Sequence, residues 1–356
     1  MARCITAVIV LGVLGTSMGA AQVAAPRPPL PQDAIAAIVN AFSTHDVVAV
    51  SDPHGNVQMQ AFLLSLVRDP RFAAAAPDIV IETLSARYQD AIDRFVRGDD
   101  VPAAMLRRAG EDHSVATNMG FQGEELLRAV RAVNAPLTGR KLRVIAGDPP
   151  IDWDNIVSDD DHRRWIELRD TYPADLIRRQ VLDRGRRALV VYGQMHLQRR
   201  HITSNYDMST WQAQTIVSLL ERDARARIFN VWTVLDRSIA PPAEVASWPA
   251  PRLAILQGTT LGAMDFGSLT AGIGGGRVAV TDKGFVPIPK QDWKPMRLED
   301  QFTALLYLGP PSSMTYATIP VEYCRDKEFV ARRLQRLARG VPPFEIENFK
   351  KACGVP

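Results

Sequence analysis

Four short apolar runs, each closed by an acid or a histidine, constrain this chain more than any other feature. Val47-Val48-Ala49-Val50 leads into Ser51-Asp52-Pro53-His54-Gly55, and Asp78-Ile79-Val80-Ile81 ends in Glu82. Leu142 to Ala146 ends in Gly147-Asp148, and Ala188 to Tyr192 is followed by Gly193-Gln194-Met195-His196. Each run is too brief for a helix and rich in β-branched residues, which reads as a buried strand. Pro53 keeps Asp52 extended and Gly55 lets the backbone turn. Val57 to Val67 then places Phe62, Leu63, Leu66 and Val67 at helical spacing. The repeated unit predicts an α/β fold, a mostly parallel central sheet with helices on both faces. The carboxyl ends of its strands would form an active-site cleft. On that reading Asp52, His54, Glu82, Asp148 and His196 converge on one rim.

Around this core the pattern is mixed. Gln32 to Phe42, Ser85 to Arg97 and Glu124 to Val133 have helical spacing, whereas Gly98 to Gly123 is less regular and would cap the rim with short helices and loops. Ser158 to Asp161 reads as an N-cap followed by acids in a first helical turn, with His162 solvated beside them. Pro173 opens another helix, Thr210 to Glu221 a further one, and Arg227 to Leu235 a fifth strand. Leu253 to Leu256, Arg277 to Val280 and Ala304 to Leu308 read as strands. Gly272 to Gly276 reads as a loop and Phe329 to Leu337 as a basic helix. The expected organisation is a leader over 1–21, a proline-rich linker over 22–31 and one domain over 32–323. That domain has its core at 47–236 and a looser extension at 237–323, and a helical segment follows over 324–356.

Met1-Ala2-Arg3, the apolar Ile5 to Leu14 and the small residues Gly15 to Ala21 have the three-part layout of a secretory signal peptide. The expected location is periplasmic or secreted, with no transmembrane span after cleavage near Ala21. Beyond the leader only Cys324 and Cys353 remain. In an oxidising compartment two thiols invite one disulfide, the alternative being two separately buried thiols. A net charge of +3 with no basic stripe interleaved with aromatics argues against nucleic acid as a partner.

An acid beside a histidine fixes the ring's tautomer and stabilises the imidazolium formed when it takes a proton from water. Glu82 could orient His54 or act as a second base, and His196 could stabilise an oxyanion or protonate a leaving group. Beyond the leader no serine sits in a Gly-x-Ser-x-Gly elbow, so the nucleophile would be water. The same side chains could instead hold zinc, manganese or iron, although no His-Glu-x-x-His pair is present. Asp148, before Pro149-Pro150, could equally hold a turn. Arg199 and Arg200 could meet an anionic substrate group or merely solvate the rim, and His201 could reach the cleft but reads as part of the same flanking segment. His45 precedes the first strand, at the wrong end, and His113 lies in the irregular stretch, from which it could drop into the cleft.

Val47 to Gly55 followed by Glu82 resembles the opening of the erythromycin esterase, ChaN and TIKI superfamily, whose first strand ends in Gly-Glu-x-His. Glu124 to Asn134 and Gly147-Asp148 are similar to the helix and strand that follow in the esterase branch, and Gly193-Gln194-Met195-His196 to a later Gly-x-x-His. The resemblance runs from Val47 to His201 and implies an α/β sheet around a deep cleft. In the esterase branch it implies a water-activating base at His54, assisted by Glu82 and His196, acting on a small-molecule or peptide ester or amide. In the TIKI branch it implies metal ligands at these positions, and in the ChaN branch haem binding for uptake, without turnover. Ser51-Asp52 stands where the family has Gly-Glu, which shortens the acid by one methylene.

Overall fold

The computed structural model describes residues 25–75, 77–115, 121–199, 214–234, 242–266, 269, 278–281, 284–287, 289, 296–339 and 343–355. The leader, Arg200, His201 and the glycine run at 272–276 lie outside the described residues. The strands in chain order are β1 (Gln32–Asp33), β2 (Val47–Ser51), β3 (Asp78–Ser85), β4 (Arg143–Asp148), β5 (Ala188–Tyr192), β6 (Ile228–Val234), β7 (Arg252–Ile255), β8 (Val278–Thr281), β9 (Gly284–Pro287) and β10 (Ala304–Tyr307). Eight form one sheet in the order β1-β7-β10-β6-β2-β5-β3-β4, and β8 and β9 pair separately. From β10 to β4 every pairing is parallel, while β7 runs antiparallel to both β10 and β1.

The apolar runs are continuous because both faces of the sheet are covered. Ile79, Ile81, Val48, Val50, Leu189 and Val191 point into one layer, beneath Phe62, Leu66, Ile92 and Leu127. Val80, Ala49 and Val190 point into the other, against Ile177, Ile216 and Leu220. The helix Val57–Arg68 shows how sequence and packing agree. Gly55 turns the chain at φ 78°, and the Asn56 side chain accepts from Met59 N at 2.8 Å to cap the first turn. Met59, Phe62, Leu63, Leu66 and Val67 are then buried, each contributing about 1.5–3 kcal/mol relative to exposure.

Several elements differ from expectation for local reasons. The first helix starts at Ala34, because Asp33 caps it by accepting from Ala36 N at 2.7 Å. The less regular stretch from Gly98 does carry a short helix, Ala103–Glu111, with Leu106 and Ala109 buried. The helix expected from Thr210 is described from Ile216, where a Thr215–Ser218 capping box opens it. The basic C-terminal helix, Lys327–Leu337, turns Arg333 and Arg336 inward. Arg336 reaches Asp112 at 2.6 Å and donates to Glu111 O at 3.0 Å. A disulfide joins Cys324 to Cys353, and this segment packs Tyr323, Phe329 and Phe349 over Ile151 and Trp153. Among the described residues no helix is long and apolar enough to cross a membrane.

Candidate functional site

The carboxyl end of β2 is pinned on both sides. Ser51 Oγ accepts from Thr233 N of β6 at 2.7 Å, and Asp52 N donates to Tyr192 O of β5 at 2.7 Å. This holds the turn that lifts His54 over the rim. Its Nδ1 lies 3.2 Å from Asp52 Oδ2 and its Nε2 lies 3.5 Å from Glu82 Oε2.

Glu82 does not end its strand, as the apolar pattern suggested. β3 continues to Ser85, and its register against β4 shifts between Ile81 and Ser85. That irregularity re-aims the side chains at the rim. Glu82 is buried, and both of its oxygens are taken. Oε2 accepts from Gly193 N at 2.5 Å, and Oε1 accepts a short hydrogen bond from Arg169. On the other side His196 Nε2 lies 3.6 Å from Glu82 Oε1, while its Nδ1 lies 2.9 Å from Asp170 Oδ1. Two Asp–His pairs, Asp52–His54 and Asp170–His196, thus face each other across one carboxylate.

Asp148 closes β4 one position from this network and makes a second one. It accepts from Ser114 N at 2.7 Å and Ser114 Oγ at 2.5 Å, and its Oδ1 lies 3.3 Å from His113 Nε2. Arg169 connects the two carboxylates, its Nε 4.0 Å from Asp148 Oδ1. Gly147 is required here by close approach, because a Cβ would fall 2.0 Å from the Tyr192 hydroxyl and 3.0 Å from Ile81 O.

Electrostatics separates these groups. Burial opposes protonation of His54, but Glu82 and Asp52 outweigh it and raise its pKa to about 9, against the push of Arg169. Burial likewise opposes ionisation of Glu82, yet the field of His54, Arg169 and His196 holds its carboxyl well below the usual range. Burial pushes Asp148 up to about 7, opposed by Arg169 and the Ser114 bonds. Burial and Arg169 push His113 down to about 3, which keeps its imidazole neutral.

The structure therefore brings Asp52, His54, Glu82 and His196 into one network, with Asp148 joined to it through Arg169. Two placements, those of His162 and Arg199, differ from the sequence reading. His162 is buried rather than solvated, its Nε2 2.7 Å from Ser114 O and its ring against Trp153. His113 is buried beside the rim, where the reading allowed it to reach, through its contact with Asp148. Arg199 turns away from the rim to Glu221 Oε1 at 3.0 Å and Thr303 Oγ1 at 2.9 Å. His45, hydrogen-bonded near Ala41 O and packed on Phe229, stays at the far end. Arg169 and Asp170 escaped sequence reasoning. They lie between two helices and not at a strand end, and the only local signal was an acid just before the helix Thr171–Gln180.

These residues do not fit a metal ion. Both oxygens of Glu82 are engaged by donors, and the Arg169 guanidinium lies beside them, where a divalent cation would need ligands. Among the described residues no three His, Cys, Asp or Glu side chains are arranged to hold one.

Among solved structures, a succinoglycan biosynthesis protein is similar over 79% of this chain and 94% of its own, at 10% identity and a TM-score of 0.52. The chain takes that fold. An erythromycin esterase, EreC, solved as a histidine mutant in its open conformation, also matches, at 11% identity and a TM-score of 0.46 over 80% of this chain and 94% of that one. So does ChaN of Campylobacter jejuni, described with cofacial haem binding, at 13% identity and a TM-score of 0.37 over 57% and 86%. No family model and no curated protein matches the sequence.

Proposed function

We propose that the rim is a hydrolytic centre in an exported protein, cleaving an ester or amide with water as the nucleophile. The observation that carries this reading is the paired Asp–His arrangement, with both Nε2 atoms within 3.6 Å of the same buried carboxylate. Two imidazoles held beside one carboxylate can serve as base and acid in one reaction. The sequence reading gave His54 the role of base. The carboxylates around it favour the opposite role, because a pKa near 9 leaves it an imidazolium at neutral pH.

In the proposed step His196 Nε2 takes a proton from water as the water oxygen attacks the carbonyl carbon. Asp170 orients that ring by accepting from its Nδ1–H at 2.9 Å. His54, as the imidazolium, stabilises the growing oxyanion and then protonates the leaving oxygen or nitrogen as its bond to carbon breaks. The products are an acid and an alcohol or amine. Proton exchange with solvent returns His196 to the base form and His54 to the acid form. Glu82 touches both rings and holds them at a fixed separation, and Arg169 keeps its carboxyl ionised.

The test is a panel of nitrophenyl esters and anilides assayed with wild type, His54→Ala and His196→Ala. We expect each variant to lose about 100-fold or more in kcat while remaining folded. Full activity in either variant removes the mechanism. A Soret band in the purified wild-type protein, lost in both variants, would favour haem binding instead.

A further inference from the structure

We propose that the opposite edge of the sheet holds a binding site for a small molecule carrying two or more oxyanion groups, phosphate or carboxylate. At the amino ends of the parallel strands a pocket of about 430 Å³ is lined by Arg140, Arg186, Arg187 and Arg225. These come from the segments entering β4, β5 and β6, so the topology gathers cations that are distant in sequence. The volume lies in the range of small-molecule sites and exceeds what a single inorganic ion needs.

The charges do not cancel inside the pocket. Arg186 is held bidentately by Asp78. Asp46, the one carboxylate in the lining, is held by Arg227 at 2.9 Å. Arg140, Arg187 and Arg225 make no ion pair among the described residues. Guanidinium groups recognise carboxylate and phosphate oxygens in pairs through parallel N–H bonds. Three such groups around one concavity suit a multiply charged oxyanion better than a single carboxylate.

Backbone conformation gives an independent reason. Arg225 has φ 50° and is the one described residue other than glycine in the left-handed region. It follows the helix Ile216–Asp223 and its C-cap Ala224, where glycine closes helices most easily. Glycine does occupy the left-handed position after two other helical segments, at Gly98 (φ 116°) and Gly185 (φ 63°). A long cationic side chain at this position sets its own cost against a function of the guanidinium.

The test is isothermal calorimetry of the full chain with pyrophosphate and with citrate, at constant ionic strength. We expect one saturable site per chain. Arg187→Ala and Arg225→Gly should each weaken it about tenfold, and His54→Ala should leave it unchanged. Arg178→Ala, a surface arginine already paired with Asp175 and Asp183, should also leave it unchanged. Arg225→Gly suits the backbone, so its loss of binding cannot be ascribed to misfolding. Stronger binding of pyrophosphate assigns the site to phosphates, and stronger binding of citrate to carboxylates. Three results would overturn the proposal: no saturable binding of either probe at millimolar concentration, affinity retained in both arginine variants, or affinity lost in His54→Ala.

Discussion

Replacing Glu82 by glutamine tests the electrostatic logic of the rim most severely, because the shape is kept and only the charge is lost. Glu82 is the largest source of the rise in the His54 pKa. An opposite charge at such a distance moves a pKa by about 1–3 pH units, so His54 should titrate that much lower in Glu82→Gln. The sign of the stability effect follows. His54 has a folded-state pKa near 9 against an ordinary 6.5, so its contribution is fully present below pH 6.5 and is lost as pH rises through about 9. The whole difference corresponds to roughly 3 kcal/mol. In Glu82→Gln the half-buried Arg169 also loses its charged partner, and breaking a buried pair costs up to about 3–5 kcal/mol. Urea unfolding at pH 6 should therefore show a large loss. The gap between wild type and variant should narrow by roughly 1–4 kcal/mol at pH 10, where His54 is neutral in both. Histidine NMR titration measures the pKa directly. An unchanged His54 titration near pH 9 in the variant would refute the account of its charge.

Other consequences are more local. A Cβ at Gly193 would lie 3.1 Å from His54 Nε2 and 3.4 Å from Glu82 Oε2. Gly193→Ala should thus lower kcat about 10- to 100-fold through misplacement of the imidazole, with thermal unfolding nearly unchanged. Cys324→Ser opens the Cys324–Cys353 bridge, which spans a sequence separation of 29. It should cost roughly 3–4 kcal/mol in the chain-entropy model, read by urea unfolding of wild type and variant without reductant.

The parts of this molecule that could be read in the sequence are those set by local rules. The four strands and their parallel packing followed from apolar runs covered on both faces. Asp52, His54, Asp148 and His196 reached the rim because each follows or ends such a run. The position of Glu82 was legible, but the register shift that aims it was not, since a bulge depends on the partner strand. Arg169 and Asp170 were illegible for the same reason. They come from a connection between helices, and their importance arises only when β3 and the helix Thr171–Gln180 are brought together. His162 looked solvated among Asp159, Asp160 and Asp161, because only the folded chain supplies Trp153 and Ser114 to cover it. The antiparallel edge at β7 left no mark in composition.

The most direct test of the central claim is the pH dependence of kcat/KM for the best ester or anilide substrate found. With His54 acting as the acid, activity should fall as pH rises through about 9, and the descending limb should shift about 1–3 pH units lower in Glu82→Gln. Activity that instead climbs through pH 9 would make His54 the base and contradict the division of roles proposed for the two histidines.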